Sequence, residues 1–198
     1  MIHDPALLDR LSDFRAERFE GEVFRATRIS ADPVAASISG GRWAPPPDGE
    51  AGQSVLYASL ERDGALAEVA SFLAQLAPIP GPRPIKVTRL AVSTSRTLRL
   101  VRGDLAALGV DMARFGERDY GRTQEIGAAL VFLEFDGLIA PSARWPCNNL
   151  MIFGGNHALT EKFEAVDEEL VEWREWAQTH GILAEESNAR TEAADTPP

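Results

Sequence analysis

Four short stretches carry side chains suited to an anionic, ring-bearing small molecule. Arg25 lies on an alternating segment at residues 22–26 (EVFRA), beside Phe24. Gly40-Gly41-Arg42-Trp43 joins two glycines, which permit positive φ or close backbone approach, to a planar guanidinium that fits a phosphate. Val55-Leu56-Tyr57-Ala58-Ser59 places a flat phenol and a hydroxyl near the end of a strand, and the helix that follows carries Glu68. At about 100° per residue, Glu68 stands at the margin of that helix's apolar stripe, where a carboxylate either lines a cleft or meets water. Gly137-Leu138-Ile139-Ala140-Pro141-Ser142-Ala143-Arg144 delivers Ser142 at the end of an apolar strand, to bond a ligand or to cap a turn. Plain structural roles are open to the others too: a solvent-facing Arg25, a turn with a stacked Arg42–Trp43 pair, a core Tyr57.

Other chemistries find little footing. The chain has no phosphate-binding P-loop, no G-x-G-x-x-G after a strand and no G-x-S-x-G elbow. Gly154-Gly155 follows a strand but lacks a third glycine and reads as a turn. His3, His157 and His180 are scattered and Cys147 has no partner at ligand spacing, so no metal site is expected. Cys147 and His157 could meet in space as nucleophile and base. The plainer reading of Cys147 is a small apolar residue beside a strand.

The elements that must position these residues follow from periodicity. Helical spacing of Leu7, Leu8, Leu11 and Phe14 predicts a helix over 6–19, and Asp32 before Pro33 opens a short helical segment to Ser39. Prolines and glycines at 45–52 form a loop. Strands are expected at 22–26, 54–58, 85–92, 97–100, 137–140 and 149–153. Helices are expected at 61–76, with Ala65, Leu66, Val69, Phe72, Leu73 and Leu76 as its apolar stripe, at 104–108, at 120–135 and at 168–179 with Trp173 and Trp176. The polar end, 183–198, reads as a disordered acidic tail. Strands clustered around two long helices, without regular βαβ alternation, predict a single α+β domain with a mixed or largely antiparallel central sheet and flanking helices. The expected organisation is an N-terminal helix within 1–21, a main domain over 22–182 and the tail.

Charge narrows the function. Of the formal −10, residues 161–198 carry −8 and residues 1–160 only −2. A net acidic chain is poorly suited to direct nucleic-acid binding, which needs Lys and Arg to displace counterions. No run of apolar residues is long enough to span a membrane. A charged N-terminus and one cysteine favour a reducing cytoplasm.

Five pieces in order resemble the RES domain family, named for its Arg, Glu and Ser positions. They are Phe24-Arg25, Gly41-Arg42-Trp43, Val55-Leu56-Tyr57-Ala58-Ser59, Ala65-Leu66-Ala67-Glu68 and Gly137-Leu138-Ile139-Ala140-Pro141-Ser142. Asn149-Leu150-Met151-Ile152-Phe153 also resembles the family's closing strand. The likeness spans about residues 22–155. Ala26 stands where many relatives carry an aromatic residue, and Ala44 where many carry Asn.

The resemblance implies an ADP-ribosyltransferase-like fold and the toxin of a bacterial toxin–antitoxin pair, held by an antitoxin with a helix-turn-helix domain in an oligomeric complex. It implies NAD as substrate, consumed by hydrolysis, phosphorolysis or transfer of ADP-ribose to a protein. It assigns Glu68, Arg42 and Ser142 to catalysis and Arg25, Tyr57, Trp43 and Ser59 to substrate binding, with no metal. A nucleophilic role for Ser142 is the less favoured assignment, since no His or Lys is evident beside it. Two other classes stay open: a non-catalytic NAD- or nucleotide-binding member, and an interaction protein whose acidic C-terminal region and Trp173 and Trp176 dock a partner.

Overall fold

The alternation of apolar residues in the strand segments is satisfied by a sheet that curls back on itself. The computed structural model describes residues 3–47 and 52–184. The elements run α1 (Pro5–Ser12), β1 (Glu17–Thr27), β2 (Val55–Ser59), α2 (Arg62–Leu73), β3 (Pro84–Arg99), α3 (Arg102–Ala107), α4 (Gly121–Phe132), β4 (Gly137–Pro141), β5 (Asn148–Phe153), β6 (Phe163–Glu172) and α5 (Trp173–Thr179). The sheet order is β1-β2-β5-β4-β3-β6, and β1 also pairs with β3. Among the described strands only β3 and β4 pair in parallel. The pairings therefore close a ring, completed between β1 and β2 at Phe24 and Ser59. One residue from each of the five strands of that ring fills its inside: Val23, Leu56, Leu90, Ile139 and Leu150 belong to one buried cluster.

The outer faces carry the helices. Leu7 and Leu11 of α1 and Ile126 and Leu130 of α4 pack with Leu138, Met151 and Phe153. Leu66, Ala67 and Ala70 of α2 pack with Trp173, Trp176 and Ala177 of α5 and with Ile85 and Val87. The result is the expected α+β domain with a mixed central sheet and flanking helices.

Several elements depart from the sequence reading. The helix expected over 6–19 ends at Ser12, capped at its start by Asp4, whose side chain accepts from the Ala6 N–H. Residues from Glu17 onward pair with β3, from Glu17 opposite Thr97 to Thr27 opposite Lys86 with one register shift between Glu17 and Phe19, so long-range pairing overrides local helical spacing. The N-terminal unit placed at 1–21 is thus helix and then strand. No helix forms at 32–39; the carbonyls of Pro33 and Ala35 turn toward Arg25, and Ser37 bridges Val55. The strands at 85–92 and 97–100 are one strand of sixteen residues.

The helix expected over 168–179 begins only at Trp173, because the acidic run before it forms β6 along β3. There Glu169 pairs with Arg62, Glu168 with Lys86 and Asp167 with Arg89. Trp173 and Trp176 are buried in the core and offer no docking surface. The buried face of α2 is rotated from the expected stripe. Leu66, Ala67, Ala70 and Leu73 face inward, while Phe72 is 49% exposed beneath the Arg118 guanidinium. The expected tail begins inside the fold: the Leu183 N–H bonds to the Ala177 carbonyl, and 185–198 lie outside the described residues. Of the proline-rich loop, residues 48–51 also lie outside them.

Candidate functional site

A cleft of about 370 Å³ opens between α2 and the loops that precede α4, a size suited to a small-molecule ligand. Its walls include Arg25, Arg42, Tyr57, Glu68, Arg144 and Asn149. Two corners of this cleft are built differently.

At the first corner α2 is drawn close to the sheet. Ser59 Oγ accepts from the Glu61 N–H at 3.3 Å and lies 3.2 Å from Cys147 Sγ. A Cβ at residue 64 would strike both side chains, so only Gly64 lets the first turn of α2 sit there. One turn on, Glu68 Oε1 accepts from Ser142 Oγ and from Asn149 Nδ2, each at 2.8 Å. Ser142 Oγ in turn accepts from the N–H groups of Arg144 at 3.0 Å and Trp145 at 3.2 Å. The Ser142 hydroxyl is thus committed, its proton to a carboxylate and its lone pairs to amides, and its residue is only 3% exposed. That is the geometry of a group that holds Glu68, and it leaves Ser142 poorly disposed to act as a nucleophile.

At the second corner a tight turn carries Arg42. The Gly41 N–H donates to the Ala44 carbonyl at 2.8 Å, and Gln124 Nε2 donates to the Gly41 carbonyl at 3.0 Å. Helix α4 approaches so closely that a Cβ at Gly127 would collide with the Trp43 carbonyl. The Arg42 guanidinium lies 4.7 Å from the Phe115 ring centroid and 4.6 Å from that of Tyr120, and donates to the Glu117 carbonyl at 3.2 Å. Burial pulls its pKa down, Tyr120 offsets this, and neighbouring Arg144 pulls it down again. A guanidinium nonetheless remains cationic.

Two more cations and a phenol complete the cleft. Arg25 donates to the carbonyls of Pro33 at 2.9 Å and Ala35 at 2.7 Å, and burial lowers its pKa while Asp32 opposes this. Arg144 donates to the Gly116 carbonyl at 2.6 Å. Tyr57 Oη accepts from the Trp43 N–H at 3.2 Å, and burial pushes the phenol up to about 12, so it is neutral at physiological pH.

The structure therefore brings Arg25, Arg42, Tyr57 and Glu68 to one cavity, with Ser142 directly behind Glu68. Trp43 and Ser59 also line the cleft, though they are nearly buried, at 3% and 1% exposure. Tyr120, Arg144 and Asn149 were not singled out for the site by sequence. The one signal for Asn149 was a polar residue opening an otherwise apolar strand. Ala26 lines the cleft, whereas Ala44 is buried in the core. Cys147 and His157 have separate partners: His157 Nε2 lies 2.8 Å from the Ser93 carbonyl and its ring meets Phe163. Burial also raises the Cys147 thiol, which lowers its thiolate content. Among the described residues no group of three or more His, Cys, Asp or Glu could hold a metal ion, and no helix is long and apolar enough to cross a membrane.

Three guanidinium groups facing one carboxylate suit a substrate with an anionic body and one electron-poor end. Residues 14–175 match the RES domain. Among solved structures the chain is similar to a chain of the crystal structure of the M. tuberculosis MbcT-MbcA toxin-antitoxin complex. The TM-score is 0.72 at 16% identity, over 90% of this chain and 98% of that one. No curated protein matches the chain in sequence.

Proposed function

The chain belongs to the RES domain family, and from that premise we propose that it is the toxin of a toxin–antitoxin pair and cleaves the nicotinamide–ribose bond of NAD. The observation that carries this reading is the Glu68 carboxylate, fixed by two donors on one oxygen in a cleft that Arg25, Arg42 and Arg144 also line.

The chemistry fits one carboxylate. Nicotinamide leaves as a neutral base from a pyridinium, so no general acid is needed, unlike the paired carboxylates of ordinary glycosidases. The ribose becomes oxocarbenium-like, and a fixed anion beside it stabilises that charge more than the ground state. Glu68 supplies that anion. Ser142 holds it in place, and neutral Tyr57 packs against the sugar or the departing ring. Arg42, with Arg25 and Arg144, holds the pyrophosphate through charge-assisted hydrogen bonds. Trp43 and Ser59 complete the lining beside them.

The acceptor is water, phosphate or a protein side chain, and the assay below separates these. An antitoxin partner is supported by the family and by the toxin-antitoxin complex that shares the fold; a helix-turn-helix domain on that partner follows from the family resemblance. The test is nicotinamide release from NAD by the purified chain, read by chromatography, with and without phosphate. Release abolished by Glu68→Gln supports the reading, and phosphate dependence names phosphorolysis. No release from the wild-type chain, with or without phosphate or a protein extract as acceptor, would overturn it.

A further inference from the structure

The Glu68 carboxylate is held by two donors, and the resemblance accounts for only one of them. We infer that Asn149 is a positioning residue that fixes which oxygen of Glu68 faces the substrate; this rests on Glu68 being the catalytic carboxylate.

The terminal torsion of a glutamate is soft and roughly two-fold, so a carboxylate held at one point swivels. In this cleft Oε1 is gripped from two directions, by Ser142 Oγ and by Asn149 Nδ2, each at 2.8 Å. Two donors on one oxygen fix the plane of the group and leave Oε2 for the reacting sugar. The donors come from adjacent strands of the sheet. Ser142 follows β4, and Asn149 lies on β5 with Ala140 of β4 opposite on one side and Ser59 of β2 on the other. A residue paired on both flanks has little freedom to drift.

The amide orientation is set by its partner, because a carboxylate can only accept. Nδ2 must therefore face Glu68. The other end of the same amide, Oδ1, is buried and has no hydrogen-bond partner among the described residues. A buried acceptor left bare works against folding. A leucine of similar shape would remove that penalty together with the hydrogen bond to Glu68, so the amide brings little net stability. The return on it lies in the grip on Glu68.

Two variants separate positioning from structure. For Asn149→Leu, kcat for nicotinamide release falls on the order of 10²-fold, the scale expected when a reacting group is displaced. KM is unchanged and the melting temperature is unchanged or raised. For Asn149→Asp, activity is low at neutral pH, where two carboxylates repel. It returns on acidification as the pair takes up one shared proton and the introduced carboxyl donates to Glu68. The wild-type chain shows no such rise.

Wild-type kcat in Asn149→Leu overturns the inference. So does a loss confined to KM, or a loss of kcat that follows a fall in melting temperature without acid recovery in Asn149→Asp. Crystal structures of the wild type and of Asn149→Leu read the same claim without turnover. Glu68 ordered in one orientation in the first, and swivelled or split in the second, is the expected result; an unmoved carboxylate overturns it. If the carboxylate swivels while the wild-type chain releases no nicotinamide, the proposed NAD cleavage fails and only the hold of Asn149 on the Glu68 orientation stands.

Discussion

The two corners of the cleft hold their charges by different means. Glu68 is fixed from regular structure: the helix α2 that carries it is locked onto the sheet at Gly64, and its donors stand on or beside the central strands β4 and β5. Arg42 is fixed from loops: a tight turn carries it, rings at 115 and 120 flank it, and the Glu117 carbonyl accepts from it. The difference suits the roles proposed for the two charges. An anion that stabilises a transition state gains from being rigid, since misplacement is felt in the rate. A cation that grips a flexible pyrophosphate needs less exact placement, since the ligand can adjust to it.

This contrast is easiest to break at Glu68. Glu68→Gln keeps the shape and the substrate but loses the charge, and turnover falls on the order of 10³-fold with KM little changed. Steady-state nicotinamide release measures both. Gly127→Ala attacks the other corner through its support. The added methyl meets the Trp43 carbonyl, and the clash costs about 3 kcal/mol in urea unfolding. Arg42→Ala raises KM by about 10–100-fold, the worth of charged hydrogen bonds. Arg42→Lys recovers little of it, because an ammonium has no flat face for the Phe115 and Tyr120 rings.

The smallest effect lies between the corners. Tyr57→Phe leaves the Trp43 N–H without its acceptor and costs about 1 kcal/mol at neutral pH. It also removes an alkaline weakness. The folded phenol titrates near 12, above its ordinary value near 10. The unfolded chain therefore loses that proton first as pH rises. The contribution of Tyr57 is complete below pH 10 and disappears between 10 and 12. Unfolding across that range should show a fall in wild type that is reduced in Tyr57→Phe.

Sequence revealed one corner more fully than the other. The Gly41-Arg42-Trp43 turn and the helix with Glu68 were legible, because their residue types are locally distinctive. Phe115 and Tyr120, which flank Arg42, are some seventy residues away in sequence, and nothing local ties them to a turn at 42. Asn149 was seen as part of a strand, and its link to Glu68 depends on the β2–β5–β4 register, which periodicity does not supply. The same limit explains β1 and β6. Residues 17–19 and 168–172 have spacing or composition compatible with helix, and both lie on strands because β3 offers them an edge. The closure of the sheet into a ring was equally out of reach of local pattern.

The long strand β3 has a consequence for how the molecule opens. From Lys86 to Val92 it is paired on both sides, with β1 along one edge and β6 along the other. Its amides in that stretch can meet solvent only when a neighbouring strand leaves, so they should be among the slowest to exchange for deuterium. The amides of 111–120, outside any helix or strand, should exchange far sooner. The protein thus carries a slow clock and a fast one. A nucleotide seated against Arg42 would retard the fast clock at concentrations where the slow one still runs at its own pace.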